Sequence, residues 1–203
     1  MLGSGEFEAI GALPLDWYAR DPLEVARALL GCLLSAERVD GIVAGRIVET
    51  EAYGDESDPA SHASFRRNGL VRAMWGPAGT AYVYRAYGVY PCLNVVTGEL
   101  GRPSAVLIRA VEPLMGAELV ARRLGKPRGP RLVSGPGLVG RGLGVTVAEN
   151  GHPFDRPPLL IALGVRDREI VSGPRIGVSR GRERPWRFGL AGHPALSRPF
   201  PRA

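Results

Sequence analysis

The alternation of apolar and polar residues along the chain predicts short strands set in hairpins, with few helices between them. Asp21-Pro22-Leu23-Glu24 marks a helix start: Asp21 is placed as N-cap, Pro22 at the first helical position and Glu24 to complete a capping box. Leu23, Ala26 and Leu30 follow on one face, and Gly31 ends the helix. Cys32 to Ala36 and Ile42 to Glu51 then alternate as strands around an Asp40-Gly41 turn.

From Gly54 to Gly79 the pattern gives way to small, polar and basic residues, a stretch long enough to suggest function or disorder. A second hairpin is predicted from Ala81 to Ala86 and Tyr90 to Val96, turning at Tyr87-Gly88. A strand over Ser104 to Val111 and a helix over Gly116 to Leu124 follow. Lys126 to Gly144 reads as a Gly/Arg/Pro loop region with room for one short helix. Two or three further strands close the chain, among them Arg175 to Val178 and Trp186 to Leu190. The expected fold class is mixed α/β (α+β): one domain over residues 13–203 on a curved, mostly antiparallel sheet flanked by helices, with a protruding hairpin. Residues 1–12 are expected to be a disordered tail or a remnant of cloning.

Composition narrows the partners. The formal charge is +6 with a pI near 9.9, and Lys126 is the single lysine, so the positive charge is arginine. A basic, arginine-rich surface favours a polyanion, above all nucleic acid. Cys32 and Cys92 cannot form a disulfide framework or a zinc site, and His62, His152 and His193 lie far apart. No metal or other cofactor is expected. The longest apolar run, Ala28 to Ala36, is too short to span a bilayer. These features point to a cytoplasmic protein with no membrane association, acting as a monomer and meeting the nucleoid through DNA.

The candidate chemistry begins with Arg46-Ile-Val-Glu49-Thr-Glu51-Ala-Tyr53. On a strand, Glu49 and Glu51 share one face, opposite Val48 and Thr50. A carboxylate at the end of an apolar strand can deprotonate water and steady an oxocarbenium-like sugar, and Glu51 stands nearer the opening loop. The competing reading is an exposed strand face with two solvated acids. The second feature packs four tyrosines into residues 82–90: Tyr82, Tyr84, Tyr87 and Tyr90. Tyr87 at a hairpin tip can wedge into a base stack, while the tyrosines nearer the sheet can stack on an extruded base. Cross-strand packing accounts for one or two of these rings but not for one at the tip.

The octapeptide, Ala60-Ser61-His62, Tyr82-Val-Tyr-Arg-Ala-Tyr-Gly-Val-Tyr90, Ile108-Arg109-Ala110, Ser134-Gly135-Pro136 and Arg175-Ile-Gly-Val-Ser179 occur in order. In this the chain resembles the alkyladenine (3-methyladenine) DNA glycosylases of the type without a helix-hairpin-helix, over about residues 15–198. The resemblance implies a monofunctional enzyme of base excision repair. Its partner is double-stranded DNA containing damaged purines of the 3-methyladenine, 7-methylguanine, hypoxanthine and ethenoadenine class. It further implies Glu51 as general base, and Tyr53, His62 and Tyr84 around the flipped base, with backbone amides near His62, including Ala60, in contact with it. Tyr87 matches the wedge, flanked by Val89 and Tyr90. Asn94 matches the pocket residue that crowds the amino group of guanine, and Arg109 the arginine beside the phosphate and catalytic water. Val89 stands where some relatives carry a larger side chain.

Four other readings compete. Gly135-Pro-Gly-Leu-Val-Gly140 fits a dinucleotide fingerprint, but Arg141-Gly142-Leu143-Gly144 breaks helix, so a plain loop is expected there. The same stretch could be a helix-hairpin-helix with Asp155 downstream as base, but its glycine spacing is wrong and Pro153, Pro157 and Pro158 spoil a flanking helix. A silent nucleic-acid-binding module would use the same basic, aromatic surface. A formyl- or acyl-transferring enzyme would want a histidine and an asparagine beside a catalytic acid, which His62 and Asn94 do not supply with any matching motif. A lyase step needs an amine nucleophile, and Lys126 lies away from every matched motif.

Overall fold

The computed structural model describes residues 11–201. It is a mixed α/β fold on a curled antiparallel sheet of nine strands, as the pattern predicted. The strands are β1 (Leu33–Arg38), β2 (Gly41–Tyr53), β3 (Ala81–Ala86), β4 (Tyr90–Val96), β5 (Ala105–Met115), β6 (Asp155–Arg156), β7 (Leu159–Ala162), β8 (Ile170–Gly173) and β9 (Arg187–Leu190). Their main order is β3-β4-β5-β2-β1-β7-β6, with β9 paired to β2 and β8 to β9. The expected tail over residues 1–12 falls largely outside the described residues; Ala12, at its end, bridges Ala162.

β2 organises the molecule. Its first half pairs with β1, its far end with β9 through Glu49↔Gly189 to Glu51↔Arg187, and from Ala44 to Tyr53 it runs beside β5. The β2–β5 register slips on either side of Glu49, which pairs with Ala110 while Thr50 pairs with Ile108. Arg109 is thereby left without a residue directly opposite. Bulges of this kind re-aim side chains, and here the re-aimed side chain is the arginine that meets both glutamates.

Helix α1 (Pro22–Ala28) starts as expected, with Asp21 accepting from the Leu23 N–H, but no bond from Glu24 back to Asp21 completes a capping box. Its buried face is Val25 and Ala26, continued by Leu29 and Leu30, while Leu23 is only partly covered. The Thr50 hydroxyl donates to the Ala26 carbonyl at 2.8 Å, pinning α1 behind β2. Helix α2 covers Ala117–Leu124.

Helix α3 (Pro136–Gly142) is the short helix for which the 126–144 region left room, and it replaces the plain loop expected over Gly135 to Gly140. Its glycines serve packing: a Cβ on Gly140 would sit 2.0 Å from the Pro91 carbonyl oxygen, and one on Gly137 2.9 Å from the Tyr90 Cβ. The helix thus braces the tip end of the β3–β4 hairpin, at Tyr90 and Pro91, at a distance that larger residues would forbid. The expected strand over Arg175 to Val178 is also corrected. Pro174 and a left-handed Gly177 (φ +77°) bend that segment off the sheet, and the nearby strand is β8. The stretch from Gly54 to Gly79 folds into 3₁₀ turns at His62–Ser64 and Gly69–Trp75. Ala63, Val71 and Met74 from these turns pack on Tyr82, Val96 and Ala105 as a second small core.

Candidate active site

Glu49 and Glu51 point to one side of β2 and are both fully buried, which excludes the solvated-face reading. Glu51 Oε1 accepts the Ile176 N–H at 2.7 Å; Oε2 accepts the Tyr53 hydroxyl at 2.7 Å and lies 3.3 Å from Arg109 Nη1. Burial pushes the Glu51 carboxyl above the ordinary glutamate range; Arg109, the Ile176 N–H and the Tyr53 hydroxyl oppose the rise, and Glu49 adds to it. Burial also disfavours charge on Arg109, yet the facing carboxylates of Glu51 and Glu49 carry its pKa above the usual value. Tyr53 is held neutral by burial and by the Glu51 charge. The result is a desolvated carboxylate with an adjacent fixed cation, which is the equipment of a general base.

An aromatic wall adjoins this carboxylate. His62 meets Tyr84 edge to face, with ring centroids 4.5 Å apart and planes at 79°, and its Nδ1 lies 2.7 Å from the Tyr82 hydroxyl. Burial, helped by Arg66, lowers the His62 pKa, so the ring is neutral near pH 7. Asn94, buried on β4, donates from its amide to the Tyr82 and Cys92 carbonyls at 2.9 and 3.2 Å, which locks its orientation. The Ala60 N–H is engaged by Asp58 Oδ1 at 3.2 Å.

Tyr87, Val89 and Tyr90 lie apart from this cluster, at the far end of the same hairpin. Tyr87 is 93% exposed in a left-handed conformation (φ 54°), and Val89 and Tyr90 are exposed beside it. A large ring held into solvent on a strained turn has no packing role.

Several residues of the site escaped the sequence reading. Arg175 is buried against Asp58, with Nη1–Oδ2 at 2.6 Å and Nη2–Oδ1 at 2.8 Å, and its guanidinium lies 4.9 Å from the Tyr53 ring and 5.0 Å from Trp186. It ties the loop bearing His62 to the segment whose Ile176 N–H reaches Glu51. Glu49 accepts from Arg187 Nη1 at 3.0 Å and from the Ser197 N–H and hydroxyl at 2.6 and 2.8 Å. The Arg175-Ile-Gly-Val-Ser run signalled this site, but an arginine in a strand-like run carries no mark of burial.

Two hollows lie elsewhere. One of about 430 Å³ is lined by residues such as Arg20, Asp55, Arg102 and Trp186, and one of about 390 Å³ by Glu112, Arg128 and His193. Neither touches Glu51. Among the described residues there is no cluster of three or more His, Cys, Asp or Glu suited to a metal, and Cys32 and Cys92 are free and buried. No helix among them is long and apolar enough to cross a membrane.

A buried carboxylate paired with arginine, walled by aromatic rings, on a basic chain with an exposed aromatic tip, has the chemistry that acid–base hydrolysis on nucleic acid requires. Residues 16–194 match the family model for methylpurine-DNA glycosylase, and the chain belongs to that family. A Nitrosospira multiformis protein is 46% identical over 183 residues, covering 90% of this chain and 92% of its own length. A Rhodopseudomonas palustris protein (strain CGA009) is 44% identical over 199 residues, covering 98% and 94%. One from Bacillus licheniformis is 41% identical over 190 residues, covering 92% and 96%. All three relatives are provisionally named 3-methyladenine DNA glycosylase.

Proposed function

We propose that this protein is a monofunctional DNA glycosylase that flips an alkylated or deaminated purine out of duplex DNA and hydrolyses its N-glycosidic bond, leaving an abasic site. The substrates are of the 3-methyladenine, 7-methylguanine, hypoxanthine and ethenoadenine class. The observation that carries this reading is Glu51, fully buried and bonded to Ile176, Tyr53 and Arg109 beside the aromatic rings of Tyr53 and Tyr84.

The basic surface binds backbone phosphates without reading sequence. Tyr87, flanked by Val89 and Tyr90, enters the minor groove, and the lesion swings into the site at a cost of a few kcal/mol that is lower for damaged or mispaired bases. Tyr53, His62 and Tyr84 hold the extruded purine, with Ala60 and its neighbours supplying backbone contacts. Asn94, immobilised by its two carbonyl partners, crowds the exocyclic amino group of normal guanine. Glu51 takes a proton from water, which attacks the anomeric carbon, while Arg109 steadies the carboxylate and the neighbouring phosphate. Cationic alkylpurines leave without an acid; hypoxanthine is neutral and needs protonation.

The chain is expected to act as a monomer in the cytoplasm. With Lys126 as the single lysine, far from the matched motifs, no lyase step follows hydrolysis. The test is base release from a duplex oligonucleotide carrying one hypoxanthine or one ethenoadenine, read as alkali-labile cleavage. Cleavage by wild type that vanishes in Glu51→Gln is the expected result, and borohydride should trap no covalent adduct. Lesion binding without release from any alkylated or deaminated purine would replace this reading with a silent binding module.

A further inference from the structure

Arg109 is held loosely by three groups rather than tightly by one. Nε lies 3.4 Å from Glu49 Oε1 without the alignment of a hydrogen bond, Nη1 lies 3.3 Å from Glu51 Oε2, and Nη2 lies 3.5 Å from the Ser197 hydroxyl. Such long contacts mean that its position depends on how strongly each glutamate is satisfied by other donors.

Glu49 is satisfied from behind. Oε2 accepts the Ser197 N–H at 2.6 Å; Oε1 accepts the Ser197 hydroxyl at 2.8 Å and Arg187 Nη1 at 3.0 Å. Both donors belong to one piece of construction. Arg187 also donates to the carbonyls of Arg198 and Pro199 at 3.2 and 3.1 Å, and its guanidinium lies 3.8 Å from the Phe200 ring. Arg131 Nη2 donates to the Ser197 carbonyl at 2.9 Å, and the Ser134 hydroxyl to the Ala195 carbonyl. Residues 195–200 therefore form a strap across the back of the site, just beyond the stretch that the family model matches.

We propose that Ser197, in this strap, is a positioning residue that sets how Arg109 is shared between the two buried glutamates. With Ser197 and Arg187 occupying Glu49, that carboxylate has little capacity left for Arg109, which stays available to Glu51 and to a substrate phosphate. Without the Ser197 hydroxyl, Glu49 Oε1 regains a lone pair and draws Arg109 away from Glu51. Ser197 touches neither water nor substrate in this account; it acts through Glu49 and Arg109.

The inference rests on the proposed hydrolysis, so wild type, Ser197→Ala and Ser197→Thr are compared in single-turnover base release, well below each protein's Tm. The expected result is a rate constant lower by about three- to tenfold in Ser197→Ala, matching one lost hydrogen bond. Lesion affinity should be unchanged and Ser197→Thr should restore the rate. Deleting residues 197–203 should lower the rate by roughly a hundredfold, the scale of an ångström-level misplacement. An unchanged rate constant in Ser197→Ala overturns the role of the strap while leaving the hydrolase reading intact. If wild type itself releases no base, the hydrolase reading falls, and the strap is judged on the Arg109 Nε–H resonance. A shifted resonance in Ser197→Ala that Ser197→Thr restores supports it; an identical one overturns it.

Discussion

Asp58→Asn is the substitution whose cost the structure defines best. Asp58 is 1% exposed and Arg175 4%, and two short hydrogen bonds join them. With the charge of Asp58 gone, the buried guanidinium keeps the Ala52 and Gly181 carbonyls, at 3.1 and 3.3 Å, and no full counter-charge within that cluster. Removing one partner of a buried pair costs about 3–5 kcal/mol. In a domain of this size that lowers Tm by roughly 6–20 °C. Arg175→Met should cost less, about 2–3 kcal/mol, because the remaining carboxylate is partly relieved. Asp58 keeps the Gly54 and Ala60 N–H donors at 3.0 and 3.2 Å, and Arg184 stands 3.5 Å away. In the double variant the two losses should fall short of additivity by about 1–3 kcal/mol.

The pH dependence of this effect has a definite sign. Burial alone would raise the Asp58 pKa, but Arg175 and the two backbone N–H groups hold it below the ordinary 3.8. A carboxylate whose folded pKa is depressed contributes fully above its unfolded value and loses the contribution as pH falls through the folded one. Thermal unfolding by circular dichroism should therefore show the wild-type advantage over Asp58→Asn intact from pH 5 to 8 and shrinking below about pH 3.8. A variant within about 2 °C of wild type at pH 7 would refute the argument, as would a gap that persists unchanged into acid.

Three more expectations follow from the same geometry. Because burial raises the Glu51 pKa and only the ionised form can accept a proton, release of cationic 7-methylguanine should fall as pH drops through a midpoint above 4.5. Neutral hypoxanthine should add a descending alkaline limb, and a flat rate through the acid window would remove Glu51 from the role of base. Tyr87→Ala should alter stability by no more than about 0.5 kcal/mol, since the ring is exposed. It should weaken lesion binding roughly five- to hundredfold, the worth of about 1–3 kcal/mol of lost base stacking. Gly140→Ala pushes a methyl into the Pro91 carbonyl and should cost about 1–3 kcal/mol in urea unfolding, whereas Gly129, whose Cβ would meet nothing within 4 Å, should tolerate alanine unchanged.

The parts of the molecule with regular alternation were legible in advance. The β3–β4 hairpin begins and ends where Ala81 to Ala86 and Tyr90 to Val96 said it would, because its tight turn leaves the register no freedom. The common face of Glu49 and Glu51 followed from the same period of two, but their burial did not. Burial depends on Arg109, Arg187 and Ser197 arriving from residues far along the chain. Helix α3 was legible only as room for one short helix, without bounds, because its glycines, poor helix formers in isolation, are selected by contact with Pro91 and Tyr90. Arg175 was read onto a strand because a run of apolar neighbours looks the same whether its backbone pairs with a sheet or its guanidinium pairs with Asp58.

The proposed mechanism turns on Glu51 activating the water that releases the base. The most direct measurement follows ethenoadenine fluorescence and base release together, in one duplex, for wild type and Glu51→Gln. Both proteins should bind and extrude the lesion, with the fluorescence change of an unstacked base, and only wild type should release it. Release by Glu51→Gln at a rate within about tenfold of wild type, a difference of only about 1.4 kcal/mol, would contradict the assignment.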